Sequence, residues 1–179
     1  MPTRLVAVSG SRRDGSYTRQ ALEHVLARVR RRGSEATLLD LGSVDLPLYH
    51  PNRSASEGGD AVAVLRLVRE ADAVVLGSPV YHGSYSSTFK NFHDYCGSDE
   101  YDETVVGLVA VAGGGSYGST LDHMRSTVRG VHGLVVPRQV GVRSARTKFA
   151  DGELTDEGIA DRLDALADQV VDYAERFRR

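Results

Sequence analysis

The chain has one cysteine, Cys96, and two lysines, Lys90 and Lys148, among 179 residues. A single thiol excludes an internal disulfide, and without a CxxC or mixed Cys/His cluster there is no basis for a zinc or iron–sulfur centre. The six histidines form no HxH or HxxxH pair. Charge of one sign is also missing: the formal net charge is −2, which gives no electrostatic footprint for nucleic acid or a membrane surface. No apolar run reaches the length of a membrane span, and the opening residues MPTRLVAVSG lack the layout of a leader peptide. The expectation is a cytoplasmic protein, with the scarcity of lysine carrying no functional weight.

What the sequence does contain is alternation. Five short apolar runs, Leu5–Ser9, Ala36–Leu41, Ala73–Ser78, Val105–Ala112 and Leu134–Val140, are rich in Val and Leu and do not alternate cleanly. Strands covered on both faces have that character. Amphipathic stretches separate them. Leu22, Val25, Leu26 and Val29 make one helical stripe, and Ile159, Leu163, Leu166, Val170, Ala174 and Phe177 make another. Shorter helices are predicted over 60–71, 87–95 and 119–131, with Asp156 and Glu157 suited to a helix start. Regions 42–59 and 141–154 read as irregular. The pattern predicts one α/β domain over 1–179: a doubly wound five-stranded parallel sheet, order 2-1-3-4-5, with helices on both faces.

In such a sheet a ligand sits beyond the carboxyl ends of the strands, where the winding reverses. The loops after strands 1, 3 and 4 meet there, and all three are rich in small residues: SGSRRDGSYT (9–18), SPVYHGSYSS (78–87) and AGGGSYGS (112–119). The first offers the hydroxyls of Ser11, Ser16 and Thr18 and the fork of Arg13, ending at a helix N-terminus, which suits a phosphate. Ser16 or Thr18 also reads as an ordinary helix cap. The G-x-G-x-x-G fingerprint is absent, so Asp40, after strand 2, is not read as a ribose-binding acid. In the second loop Pro79 redirects the chain. Val80 to Ser84 then present backbone donors and acceptors, with Tyr81 and His82 able to flank a flat ring. In the third, Gly113, Gly114 and Gly115 carry no side chain to obstruct such a ring. Gly114 to Gly118 also match the G-x-S-x-G elbow of a serine hydrolase, with Ser116 as nucleophile; only His123 and His132 follow it, and neither lies after the last strand.

Taken together, GSRRDGS (10–16), SPVYHGSYSSTFKN (78–91) and AGGGSYG followed by a helix and VVP (135–137) resemble the motifs of the NADPH-dependent FMN reductases with a flavodoxin-like fold, in the same order and over nearly the whole chain. The resemblance implies FMN as cofactor, with its phosphate on Ser11, Arg13, Ser16, Tyr17 and Thr18. It places the flavin ring against Pro79, Val80, Tyr81, His82 and Gly83, with Gly113, Gly114 and Gly115 beside the outer edge. Thr18, Val80, His82 and Ser86 differ from the residue types usual there, which bears on the acceptor more than on the cofactor. The implied reaction moves a hydride from NADPH or NADH through FMN to a small acceptor: a quinone, azo compound, free flavin or metal oxyanion. A flavodoxin-type electron carrier is the main alternative, disfavoured by the modest net charge. A homodimer or dimer of dimers is expected, from the aromatic residues Phe89, Phe92 and Tyr95 on one short helix.

Overall fold

In the computed structural model, which describes residues 1–178, the five expected strands form one parallel sheet in the order β2-β1-β3-β4-β5. They are β1 (Arg4–Ser9), β2 (Glu35–Asp40), β3 (Ala73–Pro79), β4 (Val105–Val111) and β5 (Leu134–Val142). Around them lie α1 (Tyr17–Arg31), α2 (Ala61–Arg69), α3 (Ser87–Tyr95), a one-turn α4 (Ser98–Tyr101), α5 (Gly118–Gly130) and α6 (Glu157–Phe177). Because strand side chains point alternately to the two faces, β1 divides its residues between two cores. Leu5 and Ala7 join Leu22, Leu26, Leu166 and Val170 under α1 and α6. Val6 and Val8 join Val64, Phe89, Phe92 and Met124 under α2, α3 and α5. Every residue of β4 is buried, which is why its run VVGLVAV carries no polar alternation.

Element ends shift by a residue or two from the sequence reading, and one shift has consequences. β5 continues to Val142 rather than Val140 because its register against β4 jumps: Val106 pairs with Val135, but Leu108 pairs with Gln139. The extra residues bulge around Pro137, which cannot donate a ladder hydrogen bond and is tolerated on an edge strand. Region 141–154 is also less irregular than expected. A two-stranded hairpin, β6 (Phe149–Ala150) and β7 (Glu153–Leu154), turns at Asp151 and Gly152 with φ of 50° and 87°. Asp-Gly is a strong signal for such a turn.

Two expectations about apolar faces are corrected. Phe177 closes the helical stripe of α6 in sequence but is 55% exposed, meeting Tyr173 edge-on at the end of the helix. Phe89 and Phe92 are fully buried in the second core, so α3 does not present them as an aromatic outer surface.

His93, on the same helix, is buried with them. Its ring stacks on Phe89 at 5.7 Å and lies 5.4 Å from Tyr101. Burial disfavours the imidazolium and lowers the pKa below the ordinary 6.5; Lys90 acts in the same direction, Asp94 and a Thr127 backbone hydrogen bond against it. The unfolded chain therefore takes up this proton more readily than the folded one, and the stabilisation from a neutral His93 is present above the unfolded pKa and lost as pH falls from there through the folded pKa. Between about pH 7.5 and about pH 5.5 the wild type should lose stability through this group. Urea unfolding of His93→Phe at the two pH values should show that component removed.

Candidate functional site

The crevice begins with a joint. Ser86 is buried, and its hydroxyl donates to the carbonyl of Gly10 at 2.5 Å while accepting the Phe89 N–H at 3.0 Å. It thus caps α3 and ties the loop after β1 to the loop after β3. The Ser86 N–H donates in turn to Ser78 Oγ, which donates to the Pro79 carbonyl at 2.8 Å. Gly10 is needed at this contact: a Cβ there would stand 2.8 Å from that of Phe89. Sequence reading missed Ser78 and Ser86 as positioning residues, since a buried bridge between distant loops leaves no local pattern.

Above the joint lies a cavity of about 800 Å³. Ser11, Arg13, Ser16, Tyr17 and Thr18 line it from the first loop, Pro79, Val80 and Tyr81 from the second, and Gly113 and Gly114 from the third. The three loops predicted to converge do so. His82, Gly83 and Gly115 lie outside the lining; Gly115 is exposed beyond the rim. His82 and Gly83 form the tip of a tight turn, with φ of 50° and 78°, closed by Tyr81 and Ser84 exchanging backbone hydrogen bonds at 2.9 and 3.0 Å. That turn also corrects the reading of residues 80–84 as an open row of donors. The Val80 N–H is spent on the Val111 carbonyl and the Tyr81 N–H on Ser84. Val111, Ala145 and Arg146 join the lining without having been predicted.

The first loop is arranged for an anion. Ser16 does cap α1, accepting the Arg19 N–H at 3.2 Å. The Tyr17 and Thr18 amides, in the first turn, have no intrahelical acceptor, which leaves a positive helix end at the cavity wall. Arg13 has no carboxylate partner among the described residues. The Tyr17 ring is braced by stacking on Phe149 of the β6–β7 hairpin at 5.1 Å. Across the cavity, Cβ atoms added at Gly113 or Gly114 would meet nothing within 4 Å, so that wall is open backbone. A phosphate at the α1 end and a flat ring along the Pro79 and glycine walls fit these groups, so the residues present match FMN in kind and placement.

The other sequence readings resolve structurally. Asp40 accepts from Gly42 N–H and Ser43 Oγ and pairs with Arg19, so its carboxylate is engaged by its own turn and by α1. His123 is engaged with Ser84, Nδ1 to Oγ at 3.0 Å, and His132 follows the far end of α5, about 20 Å from Ser116 at 1.5 Å per residue. Ser116 has no base beside it and the hydrolase reading fails. Cys96 is buried with its thiol pKa pushed up, which makes it inert.

The fold and site define a flavodoxin-like protein with a phosphate-ready crevice. Residues 3–147 match the family described as NADPH-dependent FMN reductase, and the chain belongs to that family. It is an FMN-dependent NAD(P)H oxidoreductase, not a carrier. Among curated relatives, an NADPH azoreductase of Bacillus sp. strain OY1-2 is 34% identical, over 86% of this chain and 83% of its own length. The NADH-dependent FMN reductase SfnE of Pseudomonas putida is 32% identical over 95% and 91%. The solved structure of FerB, a flavoenzyme NAD(P)H:(acceptor) oxidoreductase from Paracoccus denitrificans, superposes with a TM-score of 0.75 at 26% identity, covering 97% of this chain and 98% of its own.

Ser86→Ala should destabilise the fold by about 1–3 kcal/mol, because it removes a helix cap and leaves the buried Gly10 carbonyl unmet. FMN affinity should fall with it, as the first loop loses its tether; chemical denaturation and a flavin titration measure the two effects.

Proposed function

We propose that this crevice holds FMN, with the whole chain acting as one FMN-binding domain, and that it serves a small acceptor: a quinone, azo compound, free flavin or metal oxyanion. The supporting observation is the pairing of two unlike walls in one cavity. An anion-ready helix end with Arg13 faces unobstructed glycine backbone, and the lining contains no carboxylate and no histidine. Such a lining binds and orients but has no group poised to exchange protons near neutral pH. When bound, FMN supplies the two-electron chemistry between NAD(P)H and the acceptor.

The work left to the protein is positional. Ser11, Ser16 and Thr18 contribute hydroxyls, Arg13 a guanidinium and α1 its free amides to the phosphate. Pro79 turns the chain so that Val80 and Tyr81 cover one side of the ring. The 81–84 turn is held from α5 by Ser119 Oγ donating to the Gly83 carbonyl at 2.6 Å and by the Ser84–His123 contact, which fixes Tyr81 at the mouth. The amides of His82 and Gly83 have no intramolecular acceptor among the described residues and are free to donate to the ring's polar edge. The open glycine wall leaves one space for donor and acceptor to occupy in turn.

The same reading places the enzyme in the cytoplasm as a homodimer or dimer of dimers. No helix among the described residues is long and apolar enough to cross a membrane. With Phe89 and Phe92 turned inward, support for self-association moves to the loop before α2. Leu48 there is 84% exposed, and the backbone around it is held on α3 by Asn91 and Tyr95. An apolar side chain presented on a fixed loop is what an interface needs.

Anaerobic addition of NADPH to the FMN-loaded protein should bleach its visible absorbance promptly. The double variant Arg13→Ala, Ser16→Ala should weaken FMN binding by roughly one to two orders of magnitude, as loss of a charge-assisted contact implies. An unchanged dissociation constant in a flavin titration would remove the phosphate assignment.

A further inference from the structure

Several arginines away from the crevice are paired: Arg28 with Asp168 at 2.8 Å, Arg32 with Asp172 at 2.7 Å, Arg69 with Glu100 at 2.5 Å. On the crevice side, Arg143, Arg146 and Arg162 have no carboxylate partner among the described residues. Two of these three share Tyr117. The Arg143 guanidinium lies over its ring, 5.9 Å from the centroid. Hydrogen bonding by Arg143, then by Arg162, holds the phenol below its ordinary pKa.

This cluster is built rather than incidental. Gly141, on β5, stands two residues before Arg143, and a Cβ there would sit 2.0 Å from the Tyr117 ring. Only glycine lets the tyrosine lie on the strand beneath the guanidinium. Past Val142 the chain turns through Ser144, a left-handed residue with φ 51° and ψ 46°. The turn is pinned to the third loop: Ser144 N–H donates to the Gly114 carbonyl at 2.8 Å and Ala145 N–H to that of Ala112 at 3.0 Å. These pins set Arg143 on one side of the turn and Arg146, in the cavity wall, on the other.

Two guanidiniums gathered on one phenol without a counter-ion repel each other until an anion arrives. The α1 end has buried hydroxyls and a helix N-terminus, fit for a resident phosphate. The Arg143–Arg162 cluster has neither; both arginines are exposed, and Arg143 directly precedes the Ser144 pin on Gly114, fit for a ligand that comes and goes. The two nucleotide donors differ by a single phosphate monoester. We propose that Arg143 and Arg162, seated on Tyr117, bind the 2′-phosphate of NADPH and set its preference over NADH. The inference rests on the donor reading given under Proposed function.

The test uses the FMN-loaded protein, an uncharged quinone and either nucleotide. Arg143→Gln and Arg162→Gln should each lower kcat/KM for NADPH by roughly 10- to 100-fold, mainly through KM, while kcat/KM for NADH moves less than about twofold. Calorimetry on the holoenzyme with adenosine 2′-phosphate should show binding that Arg143→Gln abolishes and that plain adenosine does not match. Equal losses for both nucleotides would overturn the proposal in favour of general steering. So would a loss that appears only with a sulfonated azo acceptor, which would make this an acceptor site. If the wild type oxidises neither nucleotide, the donor reading fails on its own. The calorimetric arm still decides the phosphate site, since retained binding in Arg143→Gln overturns it.

Discussion

Ser86 holds the crevice together because its hydroxyl is committed in two directions inside the protein. One bond caps α3 and the other reaches the Gly10 carbonyl across 76 residues of sequence. The loops after β1 and β3 leave different strands, and nothing in the parallel ladder of β1 and β3 sets their relation beyond the strand ends. A buried hydroxyl with both roles filled does so at low entropic cost, since its rotamer is already fixed by the cap. The cavity's shape therefore depends on a residue that does not line it.

A second constraint is electrostatic partition. Side chains along α1 and at its end are met by the carboxylates of α6: Asp164 takes His24 and Arg31, Asp168 takes Arg28 and Arg32, and Asp172 takes Arg32 as well. Those pairs are partly exposed and contribute modestly to stability. Arg13 in the first loop and Arg143 and Arg146 after β5 have no such partner among the described residues, so unpaired cations stand around the crevice of a chain whose net charge is −2.

The 81–84 turn shows how the fold uses strain. His82 sits at φ 50°, where a side chain is uncommon, and is held there by the Tyr81–Ser84 exchange and by α5 from below. The conformation exhausts the amide of Tyr81 and frees those of His82 and Gly83. A row of donors read from the sequence becomes two specific donors at a turn tip.

The sequence by itself determined the sheet, its order and the three loops that meet at its rim. Those follow from local signals: apolar runs too uniform for a one-sided strand, helical stripes between them, and small residues clustered after strands 1, 3 and 4. The loops 9–18, 78–87 and 112–119 likewise supply most of the cavity lining. Tertiary structure alone decided that Phe89 and Phe92 turn inward, that the bulge at Pro137 carries β5 on to Val142, and that Ser78, Ser86, Ala145 and Arg146 belong to the site. It also decided that Tyr117 lies on Gly141 beneath Arg143. Each of these depends on contacts between residues far apart in the chain, where burial and register are set by packing partners. A periodicity read along one segment holds no information about the neighbour that segment will meet.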